Sequence, residues 1–512
     1  MPLPELSVER SNSRDRFFER VMDYVTPLVL PVLVALVPTL YHYSNNVEKL
    51  TLLNLSRMLV FNSALAGIIY FVMLVFHRFQ AVKAANASFI FLIFFNVYGL
   101  LYRYVLDLDV IRIKHYTFLP LTVMLVIYTV LPITRLQRST LIHLWKNLVL
   151  VTGVLVLFNL MNIVPAEIKR WRSEQNVDVP NTQETSPIDQ NAPDIYYIIL
   201  DEFAGFQAMR EYWDYHEVDG FVSFLEDRGF FVAEESHGSS TDTLHQMATR
   251  LNYQEYPLGE EHIQTYFNDI ADNRVMRELK SRGYTTVVFD ETNMGYPSAK
   301  PVNADYLYEY ESPLISETGR GGYGLYFDEF GELVIDNTMF YAISQSYKRN
   351  NPVVKEHSAM IFFTVENIAA QEVPSPKFVY VHLLFPHFPF MFNRDGDITD
   401  SDQYTDWNYY LDNYIFSTKV TETMINNILA EADPENPPII ILQSDHGARN
   451  QLTSRIGSAV LPNYPEESKT LILFALYMPG YDYSSLPQDI DPVNTFPLVF
   501  NYLFDTSIPL VK

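Results

Sequence analysis

Apolar and polar positions divide this chain into two unlike parts. The first third carries five long apolar runs, at about 24–41, 55–76, 86–105, 117–133 and 141–164. A helix needs roughly 20 mostly apolar residues to cross the hydrocarbon of a bilayer, so each run predicts a membrane-spanning helix. The second is the clearest, with Ala64 to Phe76 reading ALAGIIYFVMLVF. The first and fourth sit near the short limit and hold Pro27, Pro31 and Pro38, and Pro120 and Pro132. Membrane helices tolerate proline where neighbouring groups satisfy the freed carbonyls. Residues 1–164 are therefore expected to form a membrane domain.

Beyond it the pattern changes twice. Residues 165–193 open with Lys169, Arg170 and Arg172 and continue as SEQNVDVPNTQETSPIDQNAPD, without apolar periodicity and with three prolines. That composition predicts an extended tether. From residue 194 to 512 the apolar runs shrink to strand length: 194–200, 284–289, 378–385, 439–442 and 471–477. They are continuous rather than alternating, as strands buried on both faces of a parallel sheet are. Helical patterns at about 219–229, 243–253, 273–282, 406–431 and 493–504 lie between them. The alternation predicts a doubly wound α/β domain. Residues 291–350, rich in Gly, Tyr and Asn, read as an insertion near the mouth of the site, with tyrosines available to line a cleft.

Charge sharpens the division. Residues 1–172 hold 17 Lys and Arg against 9 Asp and Glu, and the remainder holds 19 against 52, so the parts carry +8 and −33. An acidic surface repels phosphate and releases no counterions, which excludes nucleic acid as a partner. Basic residues gather before the first run (Arg10, Arg14, Arg16, Arg20), after the second (Arg78, Lys83) and after the fourth (Arg135, Arg138). Basic loops stay on the cytoplasmic side, which predicts a multi-pass plasma (inner) membrane protein with a cytoplasmic N-terminus. Five crossings leave the acidic part outside. There is no cysteine, so disulfides, zinc–thiolate sites and thiol nucleophiles are excluded together.

In open parallel sheets functional groups gather beyond the carboxyl ends of strands. Three predicted strands end in such groups: Leu200-Asp201-Glu202, then Pro386-His387-Phe388-Pro389-Phe390, then Gln443-Ser444-Asp445-His446-Gly447. Carboxylate oxygens and imidazole nitrogens suit Zn, Mn and similar divalent ions. A hydroxyl-rich loop, Ser236 to Thr243, leads into a predicted helix. A helix N-terminus attracts anions, and a hydroxyl held there beside a divalent cation can attack phosphorus. His382, inside a predicted strand, reads as a core residue.

This ordered set, Asp201, Thr243, His387 in His-Phe-Pro-Phe and Asp445-His446-Gly447, resembles the alkaline phosphatase superfamily. It is most similar to the sulfatase-like branch, which includes lipoteichoic acid synthase and related envelope phosphotransferases. The resemblance spans about 190–505, and the five preceding apolar runs match the same architecture. It implies a mostly parallel sheet of alkaline phosphatase/sulfatase type. It implies Asp201, Thr243, Asp445 and His446 as ligands of one divalent metal ion (Mn, Zn or Mg), Thr243 as nucleophile and His387 as the group that holds phosphate or protonates the leaving oxygen. Thr241 is the rival nucleophile. No Cys/Ser-x-Pro-x-Arg motif is present, which argues against sulfatase chemistry. The region of a late second-metal histidine reads Asp491-Pro492-Val493-Asn494-Thr495, which favours a single metal. The expected activity is a membrane-anchored phosphotransferase or phosphodiesterase acting on a membrane lipid headgroup or envelope polymer. The alternatives are a phosphate- or sulfate-ester hydrolase and an inactive sensing or scaffolding domain.

Overall fold

The computed structural model describes residues 7–47, 50, 52–107, 114–175, 192–259, 262–289, 302–308, 329–343, 352–370, 372–388, 390–398, 407–448, 455–456, 459–460 and 466–511. The chain forms two compact units, 1–172 with 324–350, and 173–323 with 351–512.

The first unit is built on helices α1 (Ser7–Ser44), α2 (Leu52–Phe76), α3 (Ala81–Asp107), α4 (His115–Val130) and α5 (Arg138–Gln175). Five spans, 22–44, 52–76, 81–105, 115–133 and 138–171, are long and apolar enough to cross a membrane, one at each apolar run of the sequence. Half of the most apolar stretch of α3 is buried inside the bundle, against 17% for α4 and α5, so α3 is its central element. Large apolar side chains on α2, α4 and α5, among them Phe76, Tyr128, Met161 and Phe158, face outward, as lipid-facing helices require. The prolines of α1 lie inside a continuous helix. Helix α5 runs on to Gln175, eleven residues past the end read from hydropathy. Residues 176–191 of the expected tether lie outside the described residues.

The second unit is a seven-stranded sheet. Its strands are β1 (Ile195–Leu200), β2 (Phe231–Val232), β3 (Thr285–Phe289), β4 (Tyr306–Tyr308), β5 (Lys377–Leu383), β6 (Ile439–Ser444) and β9 (Phe474–Tyr477), in the order β2-β9-β6-β1-β5-β3-β4. Strands β7 (Arg455–Ile456) and β8 (Ala459–Val460) form a separate antiparallel pair. The five strands β6, β1, β5, β3 and β4 run parallel. Strand β9 is antiparallel to β6, and β2 to β9. The three central strands are buried along their whole length, which is why they read as unbroken apolar runs. Alternate residues of β1 feed two cores: Tyr196, Ile198 and Leu200 on one face, Ile195, Tyr197 and Ile199 on the other. The first packs under α6 (Phe206–Trp213), α7 (Asp219–Glu226) and a long helix at Trp407–Glu431, where Trp213 stacks on Trp407 at 4.7 Å. The second packs under α8 (Thr243–Asn252), α9 (Ile263–Ala271), α10 (Arg274–Ser281) and a C-terminal helix at Thr495–Phe504. Helices on both faces make the sheet doubly wound, as expected.

Residues 291–350 differ from the expectation of a single insertion at the site. Residues 306–308 extend the sheet edge as β4. Helix α11 (Glu329–Ile335) and the turn after it belong to the membrane unit. There Phe330, Val334 and Ile335 pack against Leu40, Tyr43, Leu55, Met58 and Ile163, and Tyr341 stands edge-on to His115. Burial of these apolar side chains among the helix ends accounts for the difference. Residues 290–301, 309–328 and 344–351 lie outside the described residues.

Candidate active site

Parallel pairing sets the site. Leu200 lies in register with Leu383 of β5 on one side and Ser444 of β6 on the other. Asp201 and Asp445, the next residues, therefore emerge level with each other from adjacent strands. Asp201 N–H continues the ladder to the Leu383 carbonyl at 2.9 Å. Ser444 fixes the end of β6 through Leu473, whose N–H donates to the Ser444 hydroxyl at 2.9 Å.

Asp445 is the hub. Its Oδ1 accepts the backbone N–H of Glu202 at 3.0 Å and of His446 at 2.7 Å. Its Oδ2 accepts the hydroxyl of Thr243 at 2.6 Å and lies 3.3 Å from His446 Nε2. His446 Nε2 is 3.7 Å from Asp201 Oδ1. Burial alone would raise the Asp445 carboxyl; the adjacent His446, with hydrogen bonds from Thr243 and Glu202, outweighs it and holds the group well below the usual carboxylate range. His446 Nδ1 donates to the Gly447 carbonyl at 2.8 Å, which turns Nε2 toward the carboxylates. Gly447 is needed because a Cβ there would lie 2.6 Å from the Leu471 carbonyl oxygen and 2.7 Å from that of Ser468.

Thr243 opens α8. Asp242 caps the helix, its carboxylate accepting the N–H of His245 at 2.9 Å. The hydroxyl of Thr243 thus stands at a helix N-terminus, where unpaired N–H groups favour an anion. Thr241, two residues earlier, lies in the loop before the cap. His245 is a structural residue: it is buried, its Nε2 donates to the Tyr256 carbonyl at 2.9 Å, and its Nδ1 meets Ser240 at 3.0 Å.

The site residues singled out in the sequence fall into two groups. Asp201, Asp445 and His446 are buried and bring one donor atom each to within 4.8 Å of the others. Thr243 is one hydrogen bond from that group. His387 stands apart: its Nε2 lies 3.8 Å from Glu202 Oε2, while its Nδ1 bonds the Phe388 carbonyl at 2.5 Å. Pro389 of the same motif lies outside the described residues. Glu202 joins the groups, its backbone on Asp445 and its side chain beside His387.

Two carboxylates and one imidazole, buried together, suit a divalent cation in charge and donor type. Arg250 donates to the backbone carbonyls of Ser444 and Asp445, each at 2.7 Å.

The parts played by three residues escaped the sequence reading. Glu202 sits at φ +63°, a left-handed conformation that is costly for a side-chain residue, and the buried carboxylate that results faces His387. Arg250, two turns along α8 from Thr243, ties that helix to the end of β6. His382 is not a merely packed core residue. It pairs with Ile199 across the sheet, its Nε2 lies 4.0 Å from Asp201 Oδ2, and that nitrogen has no hydrogen-bond partner among the described residues. Burial pushes its imidazole down to about 4, with Asp445 pulling the other way, so it is neutral near pH 7. The only sequence signal for these was proximity to a strand end or to the threonine helix.

A family model described as Sulfatase matches residues 196–469, more than half of the chain. The chain belongs to the sulfatase family. The match opens in β1 and closes after the Asp445-His446-Gly447 turn, so it includes Asp201, Thr243, His387, Asp445 and His446. No curated protein matches this sulfatase-family chain. Among solved structures it is similar to the integral membrane lipooligosaccharide phosphoethanolamine transferase A of Neisseria meningitidis, at 13% identity over 93% of this chain and 95% of that one, with a TM-score of 0.39. It is also similar to the lipoteichoic acid synthase LtaP of Listeria monocytogenes, at 14% identity over 65% and 77%, TM-score 0.38. The zinc complex of the periplasmic domain of EptC from Escherichia coli shares 14% identity over 62% and 84%, TM-score 0.38.

Proposed function

We propose that this chain is a membrane-anchored, metal-dependent phosphotransferase or phosphodiesterase that acts on a lipid headgroup or envelope polymer through Thr243. The observation that carries the reading is the 2.6 Å hydrogen bond from Thr243 Oγ1 to Asp445 Oδ2, beside the buried group of Asp201, Asp445 and His446 and at the start of a helix. A metal ion held by Asp201, Thr243, Asp445 and His446 would lower the pKa of the hydroxyl and offset negative charge on phosphoryl oxygens.

The residues of the chain then divide the work. Asp445, kept ionised, orients the Thr243 hydroxyl. The N-terminus of α8 receives a phosphoryl oxygen. Thr243 Oγ1 gives its proton to solvent water and attacks phosphorus, the bond from phosphorus to the leaving oxygen breaks, and His387 supplies a proton to that oxygen. Water or an acceptor hydroxyl, giving its proton to the now neutral His387, then attacks phosphorus, and the bond to Thr243 Oγ1 breaks as that oxygen regains a proton from solvent. Glu202, with Oε2 3.8 Å from His387 Nε2, stands beside the ring that gives this proton. Among the described residues Thr241 has no such arrangement around it, which favours Thr243 as nucleophile.

The absence of cysteine and of a Cys/Ser-x-Pro-x-Arg motif weighs against sulfate-ester chemistry within this family. The membrane helices favour a substrate at the bilayer, and the basic loops favour a cytoplasmic N-terminus with the acidic unit outside. The direct test is peptide mass spectrometry of the full-length protein after incubation with a divalent cation and an envelope lipid extract. A phosphoryl adduct on the peptide containing Thr243, lost in Thr243→Ala, is expected. An adduct on Thr241, or turnover unaffected in the variant, would overturn the assignment.

A further inference from the structure

The turn after α11 is joined to α3 in an unusual way. Gly99 N–H donates to the Asn337 carbonyl at 2.9 Å, and the Phe95 carbonyl accepts Met339 N–H at 2.9 Å. Gly99 N–H and the Phe95 carbonyl are the two groups that an α-helix pairs with each other. The segment Asn337-Thr338-Met339 thus engages both halves of one helical hydrogen bond, in the manner of a short strand. It can do so only because residue 99 is glycine. A Cβ there would lie 1.9 Å from the Asp336 carbonyl oxygen.

Side chains of α1 and α3 meet further polar groups of the segment. Arg103 donates to the Asp336 carbonyl at 2.9 Å and to the Asn337 side-chain oxygen at 2.5 Å. The Asn337 amide nitrogen meets His42 Nε2 of α1 at 3.0 Å. Apolar side chains complete the attachment. Phe330, Val334, Ile335 and Met339 are buried, and Phe340 stands edge-on to Phe95 at 5.1 Å.

Along the chain, this segment is flanked by β4 and β5, strands of the second unit's sheet. We infer that residues 329–343 are a second membrane anchor of the catalytic unit, a non-covalent plug seated in α1 and α3, and that the continuous chain through 176–191 is not the sole tie to the bilayer. The plug pairs its backbone with a membrane helix, buries four apolar side chains and saturates Asn337. A segment that merely rested on the helix ends would do none of these. The inference is independent of the reaction proposed above and stands or falls without it.

The test is made on the full chain in membranes, with a site-specific protease sequence placed within 176–191. After cleavage and a high-salt wash, the fragment beginning near residue 192 is expected to sediment with the membranes. Asn337→Ala combined with Val334→Asp is expected to move most of that fragment to the supernatant, while the uncut variant still sediments. Gly99→Leu, which blocks the seat from the opposite side, is expected to do the same. Release of the cleaved fragment from the unsubstituted chain would overturn the inference, as would its retention in both variants. Unchanged melting of the released fragment, compared with the fragment extracted from the unsubstituted chain, separates loss of the seat from unfolding.

Discussion

Thr243 and Asp445, 202 positions apart, are joined by a 2.6 Å hydrogen bond from hydroxyl to carboxylate. One belongs to a helix start and the other to a strand end, so the bond measures how well α8 is docked on the sheet. Replacing Thr243 with alanine removes the proposed nucleophile and one of the donors to Asp445. Turnover of a phosphodiester substrate is expected to fall by about 10³-fold or more, with little change in melting temperature. Thr241→Ala is expected to keep most of the activity, and the ratio of the two rates checks the choice.

Metal content separates the roles of the ligand group from that of His387. Asp445→Asn is expected to purify with at least tenfold less divalent metal by elemental analysis, since losing even an outer-shell partner of a metal ligand typically costs about 10- to 100-fold in affinity. His387→Ala is expected to bind metal normally and to lose about 10²- to 10⁴-fold in turnover of an alkyl ester. With an activated aryl ester, whose leaving oxygen needs no proton, the loss is expected to shrink. An equal loss on both esters would exclude His387 as the proton donor.

His382 gives a pH signature. Its imidazole is held down to about 4 in the fold, below the ordinary value of about 6.5. As pH falls from near 6.5, the unfolded chain takes up the proton first, so stability is lost progressively until about pH 4. A shift of this size corresponds to roughly 3 kcal/mol. Melting in detergent at about pH 7 and about pH 4.5 is therefore expected to show a larger drop for the unsubstituted protein than for His382→Gln. Parallel behaviour of the two would show that the ring is not held neutral.

Two substitutions test the scaffold. Arg250→Met leaves the Ser444 and Asp445 carbonyls without their donors and is expected to cost about 2–4 kcal/mol. Gly447→Val drives a side chain into the Leu471 and Ser468 carbonyls and is expected to cost more than about 2 kcal/mol. Both are read by thermal melting, and both are expected to lower metal content, because each disturbs the position of Asp445 or His446.

Much of this architecture was legible in the chain. Five apolar runs marked five spans, and the five continuous strand-length runs are β1, β3, β5, β6 and β9. Being buried on both faces leaves a strand few polar positions, which is what made these stand out. Strand β4 and helix α11 were not legible. Three and seven residues are too few for a period to show, and the apolar positions of α11 have meaning only once the helices it meets are known. In the site, Asp201, Asp445 and His446 were readable because each follows a strand end. Glu202, Arg250 and His382 act through a backbone conformation, a pair of carbonyls and a sheet register, none of which one-dimensional spacing reports. Of the tyrosines in 291–350, Tyr308 stacks on Phe289 and Tyr341 stands edge-on to His115, since aromatic density marks packing as well as binding; Tyr296, Tyr310, Tyr323, Tyr326 and Tyr347 lie outside the described residues.

The register of β1 with β6 has a consequence for how the protein is made. Asp201 and Asp445 come level only after strands separated by some 240 positions have paired, a contact of the slow, non-local kind. An emerging chain holds Asp201 early yet has no complete ligand group until His446 has left the ribosome and the central strands have closed. Capture of the proposed cation would then come late in maturation, and a chain truncated before residue 446 would lack one of the proposed ligands.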